Sequence, residues 1–233
     1  MKEFAGRVVV VTGAFGALGS VVAQTFATRG ARVALLGRST KASPPSLPSG
    51  ESLVLSGVDL TNVQQVENAM AQVRGELGRL DVLVNVAGGF RWEKVEGGSV
   101  ETWNLMYQMN LQSAVVATRA GLPHLLAAAP GSRIINIGAG AAARSAAAGM
   151  GAYTASKAGL LKFTESLADE VKSRGVTVNI VLPGTIDTAS NRADMPDADT
   201  TAWVTPAAIA EVVAFLASDA AAAINGAAIP VGR

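Results

Sequence analysis

The stretch VVVVTGAFGALGS, residues 8–20, places a continuous apolar run directly before three glycines at every third position. An apolar run of this length is typical of a β-strand that is buried on both faces of a parallel sheet. Gly13, Gly16 and Gly19 permit a tight turn, and the helix that follows directs its N–H groups and the positive end of its dipole at an anion. The stretch therefore predicts a strand, a turn and a helix that can hold a pyrophosphate group.

Strand-like and helix-like segments alternate along the rest of the chain. Strands are predicted at 7–12, 32–37, 52–58, 81–87, 133–138, 176–182 and 227–231. Helices are predicted at 21–29, 62–78, 101–128, 151–174 and 205–217. This alternation predicts an α/β fold, a doubly wound parallel sheet of about seven strands with helices on both faces. In such a chain a glycine-rich turn after the first strand favours a dinucleotide site over a plain strand-to-helix connection.

Two irregular stretches interrupt the alternation. Residues 39–52 are rich in Ser and Pro, and we interpret them as a surface loop in place of a crossover helix, because the alternation resumes at once. Residues 184–203 form a long irregular segment of the kind that often serves as a lid or binding loop. We therefore predict a single dinucleotide-binding domain over residues 1–233.

Composition argues against several classes of partner. The 233 residues are 49% hydrophobic and 16% charged, with a net charge of +1 and no basic run, which gives nucleic-acid binding little support. There is no cysteine, which excludes disulfides and thiolate sites, and the single histidine, His124, has no partners in sequence for a metal site. No uncharged apolar segment approaches the ~20 residues that span a bilayer. We expect a cytoplasmic protein that binds a small molecule, with no metal, nucleic-acid or membrane partner.

The end of the second predicted strand bears on the choice of cofactor. An acidic residue there favours NAD, whereas an arginine can hold the 2′-phosphate of NADP. The strand ends in LLGRSTK, which offers no acid but has Arg38 directly after Gly37. This pattern favours NADP(H) over NAD(H), the alternative being that Arg38 is a solvated loop charge.

A second motif, GMGAYTASKAG at 149–159, sets a phenol and an ammonium group among small residues. Tyr153 and Lys157 are four apart and would share one face of a helix. Small neighbours leave room for another molecule to approach the pair.

Together these segments resemble the short-chain dehydrogenase/reductase family in its compact, single-domain, Rossmann-like form. The resemblance covers nearly the whole chain. It rests on the glycine-rich turn at 12–19, VDLT at 58–61, NVAGG at 85–89, Asn110, the Tyr153 and Lys157 pair, and LPGTIDT at 182–188.

The resemblance implies a role for each of these positions. Tyr153 would exchange a proton with substrate while the nicotinamide transfers hydride. Lys157 would lower the pKa of the phenol and bond the nicotinamide ribose, and Asn110, in the middle of a helix, would support a water-linked proton path. The residues implied in cofactor binding are Thr12, Gly13, Gly16, Leu18, Gly19, Arg38, Asp59, Leu60, Asn85, Ala87, Gly88, Lys157, Pro183, Gly184, Ile186 and Thr188. The family's helices at 101–128 and 151–174 imply a homodimer or homotetramer.

Two positions depart from the family pattern. Ala17 stands where the compact family usually has glycine, with Gly16 one place earlier. Gly140 stands where the family has a substrate-orienting Ser or Thr, thirteen residues before the tyrosine, and the next hydroxyl is that of Ser145. Loss of a group that polarises a carbonyl should raise the barrier for ordinary ketone reduction, unless an unusual loop brings Ser145 into its place.

The dihydropteridine reductase branch of the family shares this departure. The local resemblance lies in GALGS at 16–20, VAGG at 86–89, GM at 149–150 and the spaced pattern from Asp187 to Trp203. The quinonoid substrate of that branch is already electron-poor, so it needs less polarisation. Phe90 would either stack on such a ring or pack at the cleft edge. The missing acid after the second strand and the presence of Asn110 depart from the branch.

Three hypotheses follow from these motifs. The first is an NADP(H)-dependent oxidoreductase that transfers hydride between nicotinamide and an activated or conjugated C=O or C=N compound. The second is a quinonoid dihydropteridine reductase, and the third is a nucleotide-binding protein with little catalysis. Candidate substrate contacts are Gly140, Phe90, Ser145, Asn191 and Trp203.

Overall fold

Seven β-strands form one parallel sheet in the computed structural model, which describes residues 2–40, 45–47, 52–144 and 147–232. The strands are β1 (Val8–Thr12), β2 (Arg32–Gly37), β3 (Ser52–Ser56), β4 (Val82–Asn85), β5 (Ser132–Ile137), β6 (Val176–Pro183) and β7 (Ala228–Val231). Their order across the sheet is β3-β2-β1-β4-β5-β6-β7, and every neighbouring pair is parallel. The predicted α/β class and doubly wound sheet are confirmed.

The chain changes direction across the sheet between β1 and β4. From β1 it moves outward through β2 to β3, then crosses back to β4 and moves outward to β7 on the other side. In open parallel sheets a ligand crevice forms outside the carboxyl ends of the strands at such a switch point. Here those ends are Thr12 and Asn85, which are paired in register.

Helices cover both faces of the sheet. They are α1 (Ala17–Thr28), α2 (Val63–Leu77), α3 (Val100–Tyr107), α4 (Ser113–Ala128), α5 (Gly140–Ala143), α6 (Gly151–Val171), α7 (Ala189–Asp194) and α8 (Pro206–Ala217). One π-helical turn, Gln108–Gln112, joins α3 to α4, and short 3₁₀ turns lie at Lys172–Arg174, Thr200–Ala202 and Asp219–Ala221. No helix within the described ranges is long and apolar enough to cross a membrane.

The burial of β1 explains its unbroken run of valines. Val9 and Val11 belong to the core that packs under α1 and α8, whereas Val8 and Val10 belong to the core under α2, α4 and α6. Each valine is fully buried, and such burial is worth about 1.5–3 kcal/mol per side chain. Because both faces are covered, the strand shows no polar alternation.

Several element boundaries differ from those predicted. The first helix begins at Ala17 rather than residue 21, because Gly16 is its extended N-cap and the glycine turn ends there. The predicted helix 101–128 is interrupted by the π turn. The irregular stretch 184–203 contains α7, whose first turn is capped by Thr188, and a parallel bridge from Ile186 to Val204. Of the predicted loop 39–52, residues 41–44 and 48–51 lie outside the described residues.

Candidate functional site

The glycine-rich turn after β1 presses closely against the segment after β4. Gly13 has φ +65, and a Cβ there would lie 2.8 Å from the Ala87 Cα. A Cβ on Gly19 would overlap the Gly13 carbonyl, lying 2.8 Å from its carbon. The Thr12 hydroxyl accepts hydrogen bonds from the backbone N–H groups of Val86 (3.1 Å) and Ala87 (3.3 Å). Thr12 therefore holds these two segments together, and the glycines let them approach.

A cleft of about 500 Å³ opens at this switch point. Nine predicted cofactor residues line it: Gly13, Gly16, Leu18, Gly19, Arg38, Asp59, Leu60, Ala87 and Gly88. Sequence reasoning missed Phe15, Ala17, Gly37, Ser39, Val58, Thr61, Val86, Gln108, Met109 and Ser113, which line it as well. The size and position of the cleft and its glycine-lined wall fit a dinucleotide.

Charged groups lie at one end of this cleft, next to the ends of β2 and β3. Asp59 follows β3 and accepts hydrogen bonds from the backbone N–H (2.9 Å) and the hydroxyl (2.8 Å) of Thr61. These bonds, together with the charge of Arg38, lower the pKa of Asp59. Arg38 itself is exposed at the end of β2. The arrangement places a cation and a fixed carboxylate on the same part of the cleft wall.

Asn85 does not line the cleft as predicted. Its side chain is 2% exposed, and its Nδ2 donates to Asn136 Oδ1 (2.9 Å) and to Thr118 Oγ1 (3.1 Å). Asn136 in turn donates to the Thr164 hydroxyl at 2.9 Å. Asn85 is the last residue of β4, and its side chain points beneath the sheet edge, where it ties β4 and β5 to the helices.

The segment after β6 continues from the carboxyl end of the sheet, and its residues Pro183, Gly184, Ile186 and Thr188 are not among those that line the cleft. Gly184 N–H donates to the Val231 carbonyl at 2.9 Å, which fixes the end of β6 to β7. The Thr188 hydroxyl accepts from the backbone N–H of Asn191 (3.1 Å), and the Asn191 side chain donates to the Ile186 carbonyl (2.7 Å). Asn191 was predicted as a substrate contact, but its side-chain amide instead donates the hydrogen bond that positions α7.

Gly140 lies beside Pro183 at the carboxyl ends of β5 and β6. A Cβ on Gly140 would lie 3.3 Å from the Pro183 carbonyl oxygen, which is tight but not overlapping. Ser145 lies outside the described residues, so its predicted compensation for Gly140 stays a prediction. Trp203 is half-buried and follows the 3₁₀ turn at the far end of the late loop.

Tyr153 sits in the first turn of α6 and packs against Phe90. The two ring centroids are 5.0 Å apart and the planes meet at 83°, an edge-to-face contact. Burial raises the pKa of the Tyr153 phenol. The sequence predicted the opposite direction, through the charge of Lys157. That prediction is wrong for the protein's own surroundings, because desolvation of the phenolate dominates there.

Lys157 lies one turn further along α6 and is 5% exposed. Its ammonium donates a hydrogen bond to the Ile137 carbonyl at 2.7 Å. Burial lowers the pKa of Lys157 to about 8. A Cβ on Gly88 would lie 3.2 Å from the Lys157 Nζ, so the ammonium lies close to Gly88, a residue that lines the cleft.

Asn110 lies within the π turn rather than in a regular helix. Its Oδ1 accepts from the Gly89 N–H (2.9 Å), and its Nδ2 donates to the Gly89 carbonyl (3.0 Å) and to the Ser156 hydroxyl (3.1 Å). π turns are rare in proteins, and those that occur are often found at functional sites. The widened turn brings Asn110 inward, where it clamps the segment after β4 against α6.

Aromatic side chains surround the start of α6. Phe90 is 53% exposed beside Tyr153. Trp92 Nε1 donates to the Ala148 carbonyl at 3.0 Å, and its ring lies where a side chain on Gly149 would be. Trp92 was not predicted, because a lone tryptophan in a loop carries no spacing signal.

The described residues hold no group of three or more His, Asp or Glu side chains that could bind a metal ion. His124 lies on α4, half-buried, and burial lowers its pKa, with a further contribution from the charge of Arg74.

Comparisons with known proteins agree with this geometry. The family described as short chain dehydrogenase matches residues 7–199. The 3-oxoacyl-acyl-carrier-protein reductase FabG of Escherichia coli (strain K12) is 38% identical, over 96% of this chain and 95% of that protein.

Solved structures extend the comparison to cofactor complexes. A blue fluorescent protein from a metagenomic library, in complex with NADPH, is 29% identical with a TM-score of 0.86, covering 98% of this chain and 97% of that one. A short chain dehydrogenase from Burkholderia cenocepacia J2315, in complex with NADP, is 28% identical with a TM-score of 0.85 over the same shares, 98% and 97%. As its motifs predicted, the chain belongs to the short-chain dehydrogenase/reductase family and is an NAD(P)-dependent oxidoreductase.

Proposed function

We propose that the protein is an NADP(H)-dependent reductase of activated or conjugated C=O or C=N compounds, with Tyr153 as proton donor and Lys157 as its assistant. One observation carries this proposal. The buried Lys157 ammonium lies close to Gly88, which lines the cleft, and Lys157 is one helical turn from Tyr153 on α6. Membership of an enzyme family favours this hypothesis over a nucleotide-binding protein with little catalysis.

A dinucleotide would lie along the cleft. The turn at Gly13, Gly16 and Gly19 would hold the pyrophosphate at the N-terminus of α1. Arg38 would take the 2′-phosphate, and Asp59 would lie near the adenine. The complexes of two relatives with NADPH and NADP are consistent with this preference. Pro183, Gly184, Ile186 and Thr188 would border the nicotinamide, which when bound supplies the hydride.

Proton delivery would fall to Tyr153. Its raised pKa keeps the phenol protonated at neutral pH, which suits a donor in the reductive direction. As the substrate carbon gains hydride, the phenol gives its proton to the substrate oxygen or nitrogen and becomes a phenolate. Lys157, still largely protonated at neutral pH, would stabilise that phenolate and bond the nicotinamide ribose. Solvent then returns the proton.

The residues expected to contact the substrate favour an activated compound over a simple ketone. Gly140 offers no hydroxyl to polarise a carbonyl, so the substrate itself has to be electron-poor. Phe90 presents a half-exposed ring beside Tyr153 that a planar substrate would contact. A quinonoid dihydropterin fits this description and remains the narrower alternative.

A second candidate substrate comes from the relatives. A 3-oxoacyl thioester carried on acyl carrier protein is the substrate named for a protein that shares 38% of its residues with this chain. Its ketone is activated by the neighbouring thioester, so it also satisfies the requirement set by Gly140.

The test is NADPH oxidation by the purified protein, with NADH in parallel. The substrates are a quinonoid dihydropterin, an ortho-quinone, a 3-oxoacyl thioester and simple ketones. Turnover of the first three classes but not of the ketones, faster with NADPH, is the expected result. Efficient reduction of simple ketones would contradict the requirement for an activated substrate, and preference for NADH would contradict the role of Arg38.

We further propose a cytoplasmic homodimer or homotetramer that associates through the long helices α4 and α6. Analytical ultracentrifugation should give two or four times the chain mass of 23.6 kDa. A single species at the chain mass would contradict this assembly.

A further inference from the structure

The side chain of Phe15, in the middle of the glycine-rich turn, lies directly on the last residue of β2. A Cβ on Gly37 would overlap its ring, lying 2.5 Å from Cε2 and 3.0 Å from Cγ. Both residues line the cleft, together with Arg38 and Ser39. Phe15 and Gly37 are 22 positions apart in the sequence, and neither the glycine-rich turn nor the end of the second strand predicts their contact.

Core packing holds the ring in this position, and hydrogen bonds hold the two backbone segments beside it. Its side chain packs against the core beneath α1 and α8. The N–H of Ala14, the residue before it, donates to the Leu36 carbonyl at 3.1 Å, so the turn is bonded to β2 itself. On the other side, the Gly37 carbonyl accepts from the Val58 N–H at 3.2 Å. Neither backbone can easily move to admit a side chain at position 37.

Gly37 is the last residue of β2, and in dinucleotide-binding folds the residues at the end of this strand discriminate between the two nicotinamide cofactors. An acid at the end of the second strand bonds the ribose hydroxyls of NAD, whereas a nearby arginine accommodates the 2′-phosphate of NADP. In this chain the Phe15 ring covers the space that an acidic side chain at 37 would need. Because the ring contacts Gly37, the residue before Arg38, it also restricts the backbone from which the Arg38 side chain extends.

We propose that Phe15 is a specificity-determining residue for the adenosine half of the cofactor. It keeps position 37 free of a side chain and leaves the 2′ substituent of the ribose to Arg38. This inference rests on the proposed function, because it requires that the cleft bind a nicotinamide dinucleotide.

Four variants test the contact between Phe15 and Gly37. They are Phe15→Ala, Gly37→Asp, the double variant Phe15→Ala/Gly37→Asp, and the control Phe215→Ala. Phe215 is an exposed phenylalanine on α8 that does not line the cleft. The dissociation constants of NADPH and NADH are measured by fluorescence titration for each variant, and folding is checked by circular dichroism.

Phe15→Ala should reduce the preference for NADPH over NADH by about tenfold, which corresponds to about 1.4 kcal/mol. Gly37→Asp should weaken both nucleotides, because the carboxylate meets the ring. The double variant should bind NADH more tightly than NADPH, and Phe215→Ala should match the wild-type protein. If Gly37→Asp does not fold, the comparison of Phe15→Ala with the double variant still decides the question.

The contrary results separate two failures. Two results would overturn the role of Phe15 alone. One is a Phe15→Ala variant with the wild-type preference for NADPH over NADH. The other is an NADH affinity that rises equally in Gly37→Asp and in the double variant. A wild-type protein that binds neither nucleotide would overturn the proposed function and this inference with it.

Discussion

The two ends of the cleft are built in opposite ways. At the proposed adenosine end the surface is shaped by missing side chains: Cβ atoms on Gly13, Gly19 and Gly37 would each meet neighbouring atoms at distances that real contacts do not show. At the proposed catalytic end, near Gly88, it is shaped by side chains that are present, the half-buried Tyr153 and the buried Lys157, whose charged forms are penalised by desolvation.

This difference determines which substitutions are informative. One added methyl group is a severe change at the adenosine end, because the backbone there is in direct contact with other backbone. At the proposed catalytic end, a substitution of the same shape keeps the packing and removes only the polar group that would transfer a proton. Substitutions of these two kinds should therefore separate binding from turnover.

Tyr153→Phe should have the largest effect, confined to turnover. It removes the proton donor, and general acid catalysis is typically worth about 10²–10⁴-fold, so we expect kcat to fall by roughly 10³-fold. The edge-to-face contact with Phe90 needs only the ring, so NADPH affinity should stay at the wild-type value. Both quantities are read from NADPH oxidation and fluorescence titration.

The chain offers a matched control for that variant. Tyr107 is one of its two tyrosines and is exposed on α3, so Tyr107→Phe should behave as wild type. If Tyr153→Phe weakened NADPH binding as much as turnover, the two ends of the cleft would not be separable.

Gly19→Ala should act at the adenosine end. Its methyl group would overlap the Gly13 carbonyl, so the turn has to shift. Overpacking of this kind costs about 1–3 kcal/mol of folding stability, and the displaced turn should also weaken NADPH binding. Chemical denaturation and fluorescence titration measure the two effects.

The control is another glycine whose added methyl group meets nothing. Gly75 lies in α2 with open space around the position of a Cβ. Gly75→Ala should stabilise the fold by up to about 1 kcal/mol, because alanine is the better helix former, without changing NADPH affinity. Equal NADPH affinity in Gly19→Ala and Gly75→Ala would contradict the steric account of the turn.

Lys157→Met should lower turnover, by less than Tyr153→Phe does, and yet stabilise the fold at neutral pH. Burial lowers the pKa of Lys157 from 10.5 to about 8, which means that the folded state disfavours its charge. Each pKa unit is worth 1.36 kcal/mol, so after subtracting the lost hydrogen bond to Ile137 the variant should gain about 2 kcal/mol.

The pH dependence of this gain distinguishes charge burial from packing. Below pH 8 the lysine is protonated in both the folded and the unfolded state, so the penalty is complete. Between pH 8 and 10.5 the folded protein has released the proton that the unfolded chain still holds, so wild-type stability rises relative to the variant. Denaturation curves at pH 7 and pH 10 should show the difference shrinking, and a constant difference would contradict this explanation.

The sequence was informative about the sheet and about backbone contacts at the turn. Short segments rich in apolar residues predicted the seven strands, and the glycine spacing predicted a turn that packs closely against neighbouring backbone. The sequence did not predict the direction of the Tyr153 pKa shift, because that depends on burial created partly by Phe90, 63 positions away. Nor did it predict the π turn at Asn110 or the inward side chain of Asn85, which depend on tertiary hydrogen bonds.

Gly140→Ser should have the smallest effect and would make the catalytic end more like the rest of the family. The added Cβ lies 3.3 Å from the Pro183 carbonyl oxygen, so a shift of a few tenths of an ångström admits it. A hydroxyl there would polarise a substrate carbonyl, and we expect kcat/KM for simple ketones to rise by about tenfold, below the 10²–10³ of an optimised donor. Gly140→Ala adds the same carbon without the hydroxyl and should leave ketone reduction unchanged. Activity towards quinonoid substrates should be similar in all three proteins, because those substrates need little polarisation. If the alanine variant reduced ketones as well as the serine variant, the missing hydroxyl would not be what restricts this enzyme to activated substrates.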